Sequence, residues 1–321
     1  MRVLVTGAHG CIGAWVVKQL LERGIGVIAY DQSAEARRLE RIAPADDVRR
    51  VEMRTGAIED TARVKDLVRE SGATHIIHLA AALIPFCQAN PVAGAMANVT
   101  GTMNVFEAAR DAGRAVRVVY ASSAAVWGPP EAYGDVPLTE DDRLLPNTHY
   151  GVFKQANEGN AAVFHRLNGI SSVGLRPWTV YGLGRDAGLT ADPTLAAKAV
   201  AMGRSFSIRV TGRMDLQYVE DVAGAFVAAA LAPLEGAHVL NLAGDIVDMT
   251  EFIALLEDLR PGAASLISAA GPPVPVAHRM DGSRIHRLIP GIPHTPLRTG
   301  LERTLEHFER LRREGRLTWE Q

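Results

Sequence analysis

The chain has 321 residues, 47% of them hydrophobic and 22% charged, with a formal net charge of -2. This length suggests two lobes or one large α/β domain with an appendage, and the composition argues against long disorder. The near-neutral balance excludes a nucleic-acid binder's basic surface, and no uncharged apolar run of about 18 residues offers a membrane span.

Neither nucleic acid nor membrane is therefore an expected partner. The opening Met1-Arg2-Val3-Leu4-Val5 enters a strand directly, without the layout of a signal peptide. Two cysteines, Cys11 and Cys87, cannot form a disulfide framework and lack metal-ligand spacing. These features read as a soluble, cytoplasmic protein without a metal.

Strands are expected over residues 3–6, 27–30, 48–53, 76–80 and 116–121, near-continuous apolar runs of the kind buried on both faces. Helical patterns lie between them over 12–23, 61–71 and 92–112, with Gly24 closing the first. This alternation predicts a Rossmann-type, doubly wound α/β fold with a parallel sheet. An Ala-rich helix follows over 150–168.

Beyond about residue 176 the rhythm changes. Gly and Pro punctuate 177–193, and then a helix over 194–202, a strand pair around 207–218 and a helix over 221–232 are expected. Seven prolines make 261–296 a loop with short elements, before a last helix over 301–313. We expect a first lobe over 1–177 with a returning segment near 212–243. Residues 178–211 and 244–321 would form a smaller, irregular α/β lobe.

The first strand runs into Gly7-Ala8-His9-Gly10-Cys11-Ile12-Gly13, and a helix follows. Such a turn serves a dinucleotide. Gly7 permits the tight turn, Gly10 lets the backbone approach the pyrophosphate, and Gly13 allows close helix–strand packing. The helix start at Cys11 and Ile12 offers the phosphates free N–H groups and the positive dipole end. The Cys11 side chain itself reads as packing, and His9 as a loop-exposed residue. Asp31, after the second strand, is placed to accept from the adenosine ribose hydroxyls and to repel a 2′-phosphate. Gln32 and Ser33 follow it, not arginine, so NAD is expected over NADP.

Tyr150 and Lys154 stand four apart on one helix face. A lysine charge there should lower the phenol from about 10, making Tyr150 a general acid or base. Lys154 is also suited to bind the cofactor ribose. The pair alone is common and carries little weight. A second element adds to it: the strand Val118-Val119-Tyr120-Ala121 ends in Ser122-Ser123. Ligands of open α/β sheets bind outside the carboxyl ends of the strands. Ser123 there would hydrogen-bond a substrate oxygen changing between alcohol and ketone.

These residues resemble the extended short-chain dehydrogenase/reductase superfamily, in its NAD-dependent sugar epimerase/dehydratase branch. The matching stretches begin with Thr6-Gly7-x-x-Gly10-x-x-Gly13, His78-Leu79-Ala80-Ala81 and Asn98-Val99-Thr100-Gly101-Thr102. They continue with Ser122-Ser123-Ala124, Tyr150-x-x-x-Lys154, Leu175-Arg176-Pro177, Val180-Tyr181-Gly182 and Tyr218-Val219-Glu220-Asp221. The resemblance implies Tyr150 as acid/base, Lys154 as its electrostatic partner and Ser123 as hydrogen-bond donor, with hydride passing between substrate carbon and nicotinamide C4. Leu79, Ala80 and Ala81 would line the cofactor, Asn98 would support the strand ends, and Pro177 would sit beside the nicotinamide. The helices over 92–112 and 150–168 would pair in a homodimer.

The departures from the family bear on the ligands. Ala57 stands where the family usually places Asp, so adenine would rest on Ala57-Ile58 backbone and packing. The segment Met214-Asp215-Leu216-Gln217-Tyr218 lacks the family's arginine, with Arg213 one position early. That points to a small sugar or sugar acid, or moves a nucleotide sugar's clamp to Arg185, Arg209 or Arg284. Ala124-Ala125 after Ser123 disfavour dehydration. Ser122, Ser123, Trp178, Arg185 and Arg213 are the expected substrate contacts, with Trp127 another candidate wall. His75 and His78 read as packing, His149 as a helix-start residue, and Glu140-Asp141-Asp142 as a solvated cluster. A non-catalytic NAD-binding regulator on the same fold is the competing reading, disfavoured by the presence of Ser123, Tyr150 and Lys154.

Overall fold

The computed structural model describes residues 1–188 and 190–319. In chain order its strands are β1 (Arg2–Thr6), β2 (Gly26–Asp31), β3 (Glu52–Thr55), β4 (His75–His78), β5 (Arg117–Ala121) and β6 (Ser172–Arg176). Then come β7 (Thr179–Tyr181), β8 (Phe206–Ile208), β9 (Arg213–Tyr218), β10 (Ala237–Asn241), β11 (Asp245–Asp248) and β12 (Ile267–Ala269).

Seven of them form one sheet in the order β3-β2-β1-β4-β5-β6-β10, every pair parallel. This is the doubly wound Rossmann-type order, with β10 added beyond β6. Side chains alternate between two cores, as period 2 requires. Val3, Val5, Ala29, Ile77 and Val119 face the helices Cys11–Glu22 and Val219–Leu231. Leu4, Ile28, Ile76 and Val118 face Thr61–Ser71 and Gly101–Arg110 on the other side. With both faces covered, these strands have no polar face to show in the sequence.

Three expectations are corrected. No strand covers 48–53: Ala45–Arg49 is a helical turn, with Pro44 at its N-cap and Asp46 and Asp47 in its first turn. The strand begins only at Glu52. The segments around 207–218 do not pair with each other. β8 lies parallel to β12, and β9 sits between β7 and β11 in a three-stranded sheet. The helix over 92–112 is a run of three parts, Pro91–Ala95, a π-turn Met96–Thr100 and Gly101–Arg110.

Candidate active site

The glycine turn leaves β1 with Gly7 at φ +67°. Gly7 N–H donates to Tyr30 O at 2.9 Å, and Gly10 N–H donates to Gly7 O at 3.0 Å. No side chain caps the helix Cys11–Glu22, so its first amides stay open for an anion. The Asp31 carboxylate accepts from His9 N–H at 3.0 Å and Ser33 N–H at 3.2 Å. A carboxylate has about four acceptor sites, so it retains capacity for a ribose diol. His9 is buried, not loop-exposed, because its Nδ1 pairs with Ser33 O at 2.8 Å.

Arg38 is a residue that sequence reasoning missed. Its Nη1 donates to His9 O at 2.9 Å, while Nη2 and Nε hold Asp186 at 2.6 and 3.1 Å. Arg38 thus ties the glycine turn to the segment after β7. No local signal announces a bond across 148 positions.

Thr148 caps the helix His149–Asn168 by accepting from Gly151 N–H at 3.0 Å. Tyr150 lies in the first turn, and Lys154 one turn on is 3% exposed. The ammonium donates to Ala121 O at 2.7 Å and lies 5.4 Å from the Tyr150 ring centre. Ser123 follows β5. Its Oγ accepts from Ala125 N–H at 3.1 Å, which leaves its own proton free to donate, and the hydroxyl stands close enough to the Tyr150 phenol to favour its ionised form.

The phenol corrects one expectation. Burial pushes Tyr150 above its ordinary range, opposed by the Ser123 bond and the Arg185 charge rather than by Lys154. Lys154 is itself pushed down to about 8 by burial, against the Cys87 thiol and Glu158 carboxylate, which favour its charge. His78 is held neutral, pushed down to about 3 by burial and by the Lys154 charge. It sits between Thr6 Oγ1 at 2.7 Å and Thr102 Oγ1 at 3.0 Å, a packing residue.

One cleft of about 1,000 Å³ collects these elements at the carboxyl ends of β1, β4 and β5. Gly7, Gly10, Cys11, Ile12 and Asp31 line one end, with Ile58 beside them. Leu79, Ala80 and Ala81 form a wall, and Ser123, Tyr150, Lys154 and Pro177 lie beyond it. Trp178 and Arg185 also line the cleft, with Trp178 Nε1 donating to Ala277 O at 2.8 Å. Arg185 Nη2 donates to Thr190 Oγ1 at 3.2 Å.

Other expected residues lie elsewhere. Ala57 is outside the lining, its carbonyl accepting from the Tyr30 hydroxyl at 2.9 Å. Asn98 is buried behind the wall, donating to Ala82 O at 3.1 Å and Gly94 O at 2.9 Å. Arg213 is exposed and outside the cleft, because β9 belongs to the small sheet. Arg209 is spent on Asp192, and Arg284 on Glu140 and Asp141. Glu140 is therefore paired and mostly buried, not part of a solvated cluster. Ser122 borders the cleft, but its hydroxyl donates to Glu158. Trp127 is core, with the Arg176 guanidinium 4.7 Å above its ring.

A model of the NAD-dependent epimerase/dehydratase family matches residues 3–243. The UDP-glucose 4-epimerase of Mycolicibacterium smegmatis is 30% identical, over 96% of this chain and 98% of that protein. UDP-glucuronate 4-epimerase 2 of Arabidopsis thaliana is also 30% identical, over 96% of this chain and 76% of its own length. Among solved structures, a Thermus thermophilus UDP-glucose 4-epimerase in complex with NAD superposes with a TM-score of 0.77 at 27% identity, covering 96% of this chain and 99% of that one. MoeE5 in complex with UDP-glucuronic acid and NAD gives 0.80 at 27% identity, covering 97% and 99%.

Proposed function

This chain belongs to the NAD-dependent epimerase/dehydratase family, and we propose from that premise that it interconverts C4 epimers of a uridine diphosphate sugar. The observation that carries this reading is the meeting of Tyr150, Ser123 and Lys154 in one cleft with the glycine turn. The open amides of the turn fit a pyrophosphate, and the spare acceptor sites of Asp31 fit a ribose diol without a phosphate, so the residues suit NAD. When bound, NAD would accept and return hydride at nicotinamide C4 and add a positive charge near the phenol.

In that reading Tyr150 takes the proton from the sugar hydroxyl as the alcohol becomes a ketone, and returns it when the ketone is reduced from its other face. Ser123 donates to the same oxygen, the Ser123 hydroxyl and the Arg185 charge favour the phenolate, and Lys154 is placed to bind the cofactor ribose. Arg185 is the cationic group facing the substrate's anionic part, and Trp178 is a wall. Residues 1–177 would hold NAD, with the returning segment near 212–243 narrowed to the helix Val219–Leu231 and β10 because β9 joins the small sheet. The remaining lobe would hold the sugar nucleotide, since Val274 and Val276 reach the cleft from it.

The test is incubation with UDP-glucose, UDP-galactose and UDP-glucuronate, with product analysis and absorbance at the NADH band. The epimer is expected to form without NADH accumulating. NADH accumulating with a free sugar or sugar acid would instead establish a dehydrogenase, the outcome that the exposed position of Arg213 outside the cleft favours.

We also propose a homodimer. The run over 91–110 and the neighbouring helix His149–Asn168 expose Val92, Met96 and Met103, and Val152, Val163 and Leu167. Adjacent helices exposing that many apolar side chains mark a protein–protein surface. Light scattering should read two chains per particle, and a one-chain mass at micromolar concentration would refute it. Among the described residues no helix is long and apolar enough to cross a membrane. A cytoplasmic setting is the corresponding reading of the two free thiols Cys11 and Cys87.

A further inference from the structure

Three consecutive residues at the end of β5 face the helix His149–Asn168, and the helix residues they face are four apart. Lys154 Nζ donates to Ala121 O at 2.7 Å, Ser122 Oγ donates to Glu158 Oε1 at 2.5 Å, and Ser123 stands close enough to the Tyr150 phenol to favour its ionised form. Positions four and eight apart share a helix face, so these contacts form one seam. Two of its three helix residues reach the cleft. Glu158 does not.

Glu158 is nonetheless tightly held. Arg176 of β6 donates to its two oxygens at 2.8 and 2.7 Å, both side chains being less than a tenth exposed. Arg176 is fixed in turn by the Trp127 ring and by Asn241 Oδ1 at 3.4 Å. A buried ion pair of this kind contributes little net stability over an apolar replacement. Its place beneath the seam calls for a geometric explanation.

We infer that Glu158 and Ser122 are positioning residues, whose bond sets the register between the helix and the end of β5 in which Tyr150, Lys154 and Ser123 meet. The inference rests on the reading that those three carry the chemistry. It also reassigns Ser122 from a substrate contact to a support of Ser123. Glu158 has a second part in the seam, as the carboxylate whose charge favours the Lys154 ammonium. Across from Lys154 stand the Cys87 thiol on the helix Ile84–Ala89 and the neutral His78 on β4.

Two variants separate position from charge. Ser122→Ala deletes the seam bond and leaves the ion pair in place. Its kcat should fall by about tenfold, with KM and NAD affinity within about twofold of the parent, because a misplaced acid/base group is felt in the chemical step. Glu158→Gln keeps the shape and removes the charge. In it the Lys154 titration should move to lower pH, read by pH-dependent trace acetylation and peptide mass spectrometry on the NAD-loaded protein. That readout needs no turnover, so it stands even if the parent epimerises none of the nucleotide sugars and the functional reading falls. Should Glu158→Gln not fold, Glu158→Asp keeps the charge and shortens the reach. It should keep the Lys154 titration and lower kcat as Ser122→Ala does. An unchanged kcat in Ser122→Ala, or an unmoved Lys154 titration in Glu158→Gln, overturns the inference.

Discussion

Tyr150→Phe is expected to cut turnover by about 10³-fold while leaving NAD affinity within about twofold of the parent. Phenylalanine keeps the ring that packs 5.4 Å from Lys154 Nζ and removes only the phenolic oxygen. Ser123 cannot substitute, because its Oγ is engaged by Ala125 N–H and its proton is the one placed to be donated. The pH profile of the parent supplies the companion result. Lys154 is lowered to about 8, so its ammonium is present below that value and is lost as pH rises through it. Turnover should decline above about pH 8, because the charge that would hold the cofactor ribose is lost. Folding stability moves the other way. Between about 8 and the ordinary lysine value of 10.5 the unfolded chain binds more protons at this lysine, so its contribution to stability rises with pH. A Tyr150→Phe protein that turns over like the parent would remove the catalytic assignment.

The parts of the molecule visible in the sequence are those fixed by neighbours in the chain. The glycine turn is seven consecutive residues running from a strand end into a helix start, and Tyr150 and Lys154 need one helix face, so both were legible. The strands of the large sheet were legible because burial on both faces leaves nearly continuous apolar runs. Residues 48–53 misled for the same reason: Val48 and Val51 look like strand, yet the Pro44-capped turn with Asp46 and Asp47 uses helix-start chemistry. What stayed hidden was set by distant partners. The pairing of β8 with β12 joins residues 61 positions apart, and alternation within either segment cannot name its partner. Arg38 reads as one more surface arginine until Asp186 is brought to it. Ser122 reads as a second cleft hydroxyl because it stands beside Ser123 and borders the same cleft, while its partner Glu158 is 36 positions away. The structure turns its Oγ to Glu158.

Gly13→Ala should weaken NAD binding by roughly 10- to 100-fold, the equivalent of an overpacking cost of about 1–3 kcal/mol falling on the bound geometry. The constraint is one of space, since Gly13 lies within an ordinary helical turn. A Cβ there would stand 2.1 Å from Gly7 O and 2.9 Å from Ala8 Cα, both backbone atoms that no rotamer change can move. Relief requires the start of the helix to withdraw by on the order of an ångström. That shift would carry away the amides of Cys11 and Ile12, which the reading places against the pyrophosphate. The room to retreat is small, because Trp15, Val16 and Leu20 of the same helix are packed in the core, and Trp15 Nε1 donates to Leu183 O at 2.9 Å. The cost is therefore expected to fall on cofactor affinity, measured by NADH fluorescence titration, with far-ultraviolet circular dichroism showing the sheet and helices retained. Retained NAD affinity in a folded Gly13→Ala protein would mean that the turn tolerates a wider gap between strand and helix, and the phosphate-binding role of these amides would have to be given up.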